Sequence, residues 1–416
     1  MTNEPPCTRL GTWLWVAGAL LVLAFAARTA RRPNDGDLIV YWNTWRRVLA
    51  GEDMYHRRET VTPREPTAYI YPPPFALVFA PLGALPYPWA RFTWCLIGGL
   101  ACLRGFACAL ELVQRERGPP ARAWLAVGLG GLLALRWVLD DLGHGQVNGL
   151  VAALALEGVW RAESGRERSG ALCLGAAVAI KLTPALVVLG WMVAGRWRLG
   201  LACAGAACAL LLLPGLALGP LANLELLWRF ATDVTAWNYG LHVCVPANLA
   251  LAGVVHHALV GYSAHAGAPP VPALLALDPA LARGLSSGLG LLVTAGLLTW
   301  VARARPGPAT RAAVLLGAVP LVSPIAWKHH LAGLLLPCAL AGRLLAEAGL
   351  SRAARAALLL GAALTALSSR ACVGRTASDA LLAGGGVTLG VALLVLGLLL
   401  APPAPATEPA PATDPA

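Results

Sequence analysis

"SPIAWKHHLAG", residues 323–333, sets Lys328, His329 and His330 beside Trp327 between two apolar runs, 311–322 and 331–342. Ionisable side chains are costly at membrane depth and mark functional sites there by default. Whether those flanking runs pack in a soluble core or in a bilayer decides the fold.

Composition answers the question. Of 416 residues, 57% are hydrophobic and 13% charged, and the mean hydropathy is +0.65. Soluble domains carry about 25% charged residues, so the chain is expected to be an all-α polytopic membrane protein. The net charge of +11 does not point to nucleic acid. The arginines fall in short clusters between apolar segments, as topology-setting charges do, and form no continuous basic face. Ten cysteines include no CxxC pair. Most lie inside apolar runs, so neither a disulfide framework nor a zinc site is expected.

The apolar run from Leu10 to Ala27 is long for a signal peptide and reads as a first transmembrane helix. Others cover 89–113, 122–139, 147–160, 170–180, 182–195, 199–218, 283–302, 353–368 and 380–401, besides the two that flank the opening stretch. Between them lie "QRERGPPAR", "RAESGRERSG", "GRWR", "RARPGPATR" and "GRLLAEAGLSRAAR". Placing these five loops in the cytoplasm satisfies the positive-inside rule and closes the count at about 12 crossings. The long first loop, 28–88, then lies outside, and 247–260 stays outside as a re-entrant or interfacial helix. Residues 402–416 read as a disordered Pro/Ala-rich tail.

This layout gathers "RRPNDGDLIVYW", "DDLGHGQVNG", "IKLTP" and "SPIAWKHH" on the outer side. The helices flanking Lys181 and Lys328 have only about 11–14 apolar residues, so at 1.5 Å per residue they reach roughly 16–21 Å and end below the outer surface. Such ends are tolerated where they line a protein-walled or watery cavity. Lys181 and Lys328 are the only lysines beside 30 arginines, and both sit at these tips. A compact ammonium suits an anion such as phosphate. Neighbours on a helix, His329 and His330 point about 100° apart and cannot face one ligand equally. They suit hydrogen bonding to a phosphate or a sugar hydroxyl better than metal ligation.

Asp37 opens an amphipathic stretch that ends at Gly51, a helix-terminating glycine. Asp35 or Asp37 could act chemically or simply cap that helix. Tyr41, Trp42 and Trp45 suit a membrane interface or stacking on a sugar. "AYIYPPPFALVFAPLGALP" holds an apolar piece too short to span, expected as an interfacial helix. In "GHGQVNG", His144, Gln146 and Asn148 offer hydrogen bonds, or a cap, at a helix start.

An aspartate after the first span, "YIYPP", "GQVN", "IKLTP" and "SPIAWKHH" follow one another in this order. Together they resemble glycosyltransferase family 87, membrane enzymes of the GT-C superfamily that include polyprenyl-phosphate-mannose-dependent α-mannosyltransferases. The resemblance runs from about 30 to 340. It implies one GT-C-like transmembrane domain, residues 1–401, in a bacterial inner membrane with its site on the outer face. The implied reaction moves a hexose, mannose by the resemblance, from a polyprenyl-phosphate carrier to a hydroxyl of a glycolipid or glycan. The family's catalytic carboxylate falls on Asp37, in the pattern D-x-x-x-Y with Tyr41. Leu38 stands where the family often has phenylalanine, and "ANLALAG" keeps Asn248 but lacks the family's serine.

In the resulting mechanism Asp37 takes the acceptor proton as a general base. Lys181, Lys328, His329 and His330 meet the leaving phosphate. Asp35, Tyr41, Tyr71, Gln146, Asn148, Asn248 and Trp327 are the candidate substrate-binding residues. Displacement inverts the anomeric carbon, and apart from "NDGD" at residues 34–37 no DxD-type metal motif is evident, so neither a metal nor another cofactor is expected. The alternatives are a secondary transporter, which usually shows an inverted repeat not found here, and a lipid-binding membrane protein.

Overall fold

The structure, a computed structural model, describes residues 6–32, 36–55, 68–118, 124–263 and 271–404. The first half runs through α1 (Pro6–Ala30), α2 (Leu38–Leu49), α3 (Pro73–Phe79), α4 (Tyr87–Arg117), α5 (Trp124–His144), α6 (Asn148–Glu163), α7 (Glu167–Ile180), α8 (Ala185–Val193) and α9 (Trp197–Leu212). The second half continues with α10 (Gly215–Leu218), α11 (Pro220–Arg229), α12 (Thr235–His242), α13 (Leu251–Val260), α14 (Pro279–Ala304), α15 (Pro308–Val322), α16 (Leu335–Leu345), α17 (Arg352–Leu367), α18 (Arg370–Ala383) and α19 (Gly386–Leu399). The all-helical expectation holds among the described residues, whose only extended pairing is an isolated bridge between Tyr262 and Val271.

This is an integral membrane protein, but not one of uniform spans. Among the described residues three helices are long and apolar enough to cross a bilayer: α4, the run Trp197–Leu218, and α14. Length and composition do not by themselves confirm the expected count of about 12, and five further apolar stretches among the described residues have only 10–17 residues. Lys181 interrupts one apolar stretch, between α7 and α8, and residues 323–327 another, after α15. The run expected at 380–401 divides between α18 and α19, and α18 turns away from α17 by 108°. Residues 219–246, assigned no element from hydropathy, are largely helical, with a π turn at Phe230–Val234 between α11 and α12. Leu221 and Trp228 on α11 are 82% and 70% exposed, so that helix presents an apolar outer surface instead of a core stripe.

The two ends of the bundle carry different chemistry. At one end the five arginine-bearing loops converge. Glu116 accepts from the Ala309 amide (2.6 Å) and the Thr310 amide (3.1 Å), capping α15. Arg117 pairs with Glu347 at 3.2 Å, and both Arg196 and Arg311 reach Glu163. The α6 helix, roughly 23 Å long at 1.5 Å per residue, carries Glu163 at this end and Asn148 at the other. Close backbone contact holds α6 to α7: a Cβ on Gly158 would lie 2.9 Å from the Gly170 carbonyl oxygen, and one on Gly170 would lie 2.7 Å from the Gly158 oxygen. Small residues at such crossings let helices pack without a hydrophobic driving force between them.

At the other end the first loop folds around aromatic rings. Phe75, wholly buried, packs edge-on against Tyr41 (5.1 Å between centroids) and is tilted against Trp94 at 5.7 Å. Tyr41 and Trp45 are 2% and 0% exposed, so neither lies at a membrane interface nor offers a free face to a sugar. Their burial follows from α3, which brings Phe75 and Phe79 onto the rings of α2 and α4. Trp42 is half-buried, with its indole donating to the Leu85 carbonyl at 3.0 Å. The short apolar piece expected as an interfacial helix is α3 followed by a 3-10 turn at Ala80–Ala84; its Pro73–Ala76 segment belongs to this core.

Candidate active site

Gly36 brings Asp37 into place. Its φ of +81° suits glycine, and a Cβ there would lie 2.7 Å from the His144 carbonyl oxygen. Asp37 follows by donating its backbone N–H to that same oxygen at 3.0 Å. It stands at the N-cap position of α2, yet its carboxylate makes no capping bond. Instead Asp37 Oδ2 accepts from Gln146 Nε2. The helix ends at Gly51 in the left-handed region, φ +71°, as its sequence suggested. Asp35 lies outside the described residues.

Tyr41, one turn after Asp37, joins the same group. Its hydroxyl is 3.0 Å from Tyr71 Oη and 3.1 Å from Gln146 Oε1, and Tyr71 Oη lies 3.4 Å from Gln146 Oε1. Burial pushes the Tyr71 phenol above its ordinary value, so it stays a hydrogen-bond donor at neutral pH. Both phenols orient the Gln146 amide, whose nitrogen is thereby turned to Asp37.

The "GQVN" turn passes the network to α6. The Trp94 indole donates to the Gly145 carbonyl at 2.9 Å, fixing the turn. Asn148 Nδ2 donates to Asp141 Oδ1 at 2.9 Å, and the Gly149 amide donates to Asp141 Oδ2 at 2.9 Å. With its amide so turned, Asn148 presents Oδ1 to Lys181 Nζ at 2.5 Å. Asp141 is wholly buried and was not singled out from sequence. Two adjacent aspartates in a largely apolar helix were the available signal.

Lys181 Nζ also lies 2.9 Å from His330 Nε2. The Trp327 amide donates to His330 Nδ1 at 3.2 Å, so a neutral His330 carries its proton on Nε2. That proton and the Lys181 ammonium then face one another as two donors, a contact that an oxygen acceptor shared between them would satisfy. A narrow cleft reaches this pair between α6, α8 and α15, lined by Val151, Ala155, Pro184, Leu316 and Val319.

Lys328 and His329 turn the other way. Lys328 Nζ pairs with Asp140 Oδ1 at 3.2 Å, and His329 packs 6.1 Å from the His144 ring. Both border a second, larger cavity together with Trp327, whose ring meets His242 at 5.5 Å. The four groups expected around one phosphate therefore divide between two recesses, because successive side chains of the Lys328–Leu334 segment diverge. Asn248 is wholly buried. Its Nδ2 donates to the Val243 carbonyl (2.9 Å) and the Pro324 carbonyl (3.0 Å), while its Oδ1 accepts from the Ala250 amide (3.0 Å) and the Ala326 amide (2.8 Å). Its polar atoms are engaged in joining the 243–250 turn to the strand-like approach to Trp327.

Residues 69–324 match the model of glycosyltransferase family 87. The chain is 31% identical over 206 residues to a Mycolicibacterium smegmatis protein named polyprenol-phosphate-mannose-dependent alpha-(1-2)-phosphatidylinositol pentamannoside mannosyltransferase, an alignment covering 46% of this chain and 48% of that one. It is 30% identical over 184 residues to a Mycobacterium tuberculosis protein of the same name, covering 41% of this chain and 40% of the other. The alignments thus span about half the length of these relatives or less. Among solved structures, ArnT from Cupriavidus metallidurans bound to undecaprenyl phosphate aligns with a TM-score of 0.47 and 18% identity over 94% of this chain and 76% of that one. The match to the family model covers more than half of the chain, from the aromatic first loop to the approach to Trp327, and the chain belongs to glycosyltransferase family 87.

Proposed function

We propose that this protein is a membrane glycosyltransferase. It moves a hexose, mannose in our reading, from a polyprenyl-phosphate carrier to a hydroxyl of a glycolipid or glycan, with inversion at the anomeric carbon. The observation that carries the proposal is one hydrogen-bonded chain, Asp37–Gln146–Asn148–Lys181, with a carboxylate at one end and, at the other, the Lys181 ammonium set 2.9 Å from His330 Nε2 as a pair of N–H donors.

Asp37 is the general base. It accepts the acceptor's proton as that oxygen bonds to the anomeric carbon, while the bond from that carbon to the donor phosphate oxygen breaks and its electron pair leaves with the phosphate. Lys181 and His330 meet the charge growing on the leaving phosphate, which needs no proton from a general acid. Gln146, held by Tyr41 and Tyr71, aims the base, and Asn148, held by Asp141, aims the cation. Lys328 and His329 lie on the acceptor side of this pair, and Asn248 acts by positioning Trp327. The site faces the exterior of a bacterial inner membrane in a twelve-crossing arrangement, supported by the charge of the five loops at the opposite end. The relatives' names support polyprenol-phosphate-mannose as donor.

The test incubates purified protein with labelled polyprenyl-phosphate sugars and a membrane glycolipid extract. Label moves to a glycolipid if the reading holds. Donor accumulation across a vesicle membrane without any transferred label would instead identify a transporter.

A further inference from the structure

The second cavity, about 890 Å³, is as large as pockets that hold small molecules, about 300–1,000 Å³. Part of its wall comes from α18, beyond the residues that match the family model. That wall is built: the 108° turn after α17 is held by the Ser378 hydroxyl donating to the Ser368 carbonyl at 2.7 Å, and by Ser369 capping α18 through the Cys372 amide at 3.1 Å. Four cationic side chains, Arg136, Lys328, Arg370 and Arg375, line the space against two carboxylates, Asp140 and Asp379. Asp379 serves two arginines at once, Arg370 at 3.0 Å and Arg375 at 3.8 Å. The cavity therefore holds surplus positive charge, and Arg370 is oriented by a carboxylate that an incoming anion can replace, with Arg375 close enough to join it.

Position says which substrate that anion belongs to. The cavity is bordered by His144, whose carbonyl oxygen accepts the Asp37 amide, so one lining residue is directly bonded to the residue that carries the base. The Lys181–His330 pair lies in the separate cleft across the His329–His330 step. We propose that the larger cavity is the acceptor subsite and that it takes an anionic group carried by the acceptor, held by Arg370 and Arg375. This assignment rests on the glycosyltransferase reading above.

The test uses the purified full chain in detergent and three probes: phosphatidylinositol, the neutral diacylglycerol of the same acyl chains, and a polyprenyl phosphate. Wild type should prefer phosphatidylinositol to diacylglycerol by roughly tenfold or more, as expected for charge-assisted hydrogen bonds. An Arg370→Gln/Arg375→Gln variant should lose that preference and keep polyprenyl-phosphate binding. Asp379→Asn, which removes the competing carboxylate, should strengthen phosphatidylinositol binding, an effect that damage to the fold would not produce. Lys181→Gln should show the reverse selectivity, losing the polyprenyl phosphate alone. The proposal is overturned if wild type shows no preference for the anionic lipid or if the double arginine variant keeps it. It is equally overturned if that variant loses the polyprenyl phosphate instead, which would make the cavity a donor site. If the arginines govern phosphatidylinositol binding while Lys181→Gln leaves polyprenyl-phosphate binding intact, the anion subsite stands and the donor-site assignment falls.

Discussion

Lys181 Nζ stands 2.5 Å from Asn148 Oδ1, and the same Asn148 amide donates 2.9 Å to the buried carboxylate of Asp141. The lysine is thus aimed by a side chain that is itself aimed. An ammonium at the end of a flexible four-carbon stem gains from such support, because freedom at the tip blurs a phosphate site.

Asn148→Leu should therefore weaken polyprenyl-phosphate binding although Lys181 is intact. Asp141→Asn should have a smaller effect in the same direction, since an amide can still hold Asn148 but no longer accepts at both oxygens. Isothermal titration or native mass spectrometry with a polyprenyl phosphate reads both. Full affinity in Asn148→Leu would mean that Lys181 orients itself.

Lys181→Ala should weaken polyprenyl-phosphate binding by roughly 10–100-fold, as expected for loss of a charge-assisted hydrogen bond of about 1.5–3 kcal/mol. Lys328→Ala should act chiefly on the acceptor, because its ammonium is paired with Asp140 in the other recess. Separate titrations of donor and acceptor KM distinguish the two. Equal losses of donor affinity would return Lys328 to the phosphate site.

Asn248→Ala should destabilise the fold, since four backbone groups lose a buried partner. Each group left unsatisfied costs about 1–3 kcal/mol. A thermal-unfolding scan in detergent should show a clear fall in midpoint. An unchanged midpoint with a raised acceptor KM would favour direct contact between Asn248 and substrate.

The five arginine loops and the site lie at opposite ends of α6, and in the proposed orientation the charged loops face the cytoplasm. Cysteines introduced at Thr62 and Gly165 should accordingly react with an impermeant thiol reagent from opposite sides of the membrane. Labelling of both from one side contradicts the topology.

How much of this was legible in the sequence follows from the range of the interactions. Lys181 and Lys328 stood out as the only lysines, at the tips of short apolar stretches. The layout of apolar runs and arginine-bearing loops put the four polar motifs on one face. Which of two adjacent side chains turns inward was not legible. Asp140 and Asp141 differ by one helical step, yet one pairs with Lys328 and the other holds Asn148. Lys328 and Lys181 likewise part company because the 3-10 segment that begins at Lys328 has its own rotation. Tyr41 and Trp45 looked like interfacial aromatics because periodicity marks an amphipathic face without saying what covers it. Here Phe75 and Trp94, distant in sequence, cover it.

The most direct measurement of the central claim compares wild type, Asp37→Asn and Asp35→Asn in transfer of labelled mannose from a polyprenyl-phosphate donor to a membrane glycolipid extract. Removing a general base should lower turnover by about 10²–10⁴-fold, so Asp37→Asn should be nearly inactive while binding the donor as wild type does, and Asp35→Asn should remain active. Near-normal turnover by Asp37→Asn would contradict the account; if Asp35→Asn were the inactive variant instead, the base would be the neighbouring aspartate.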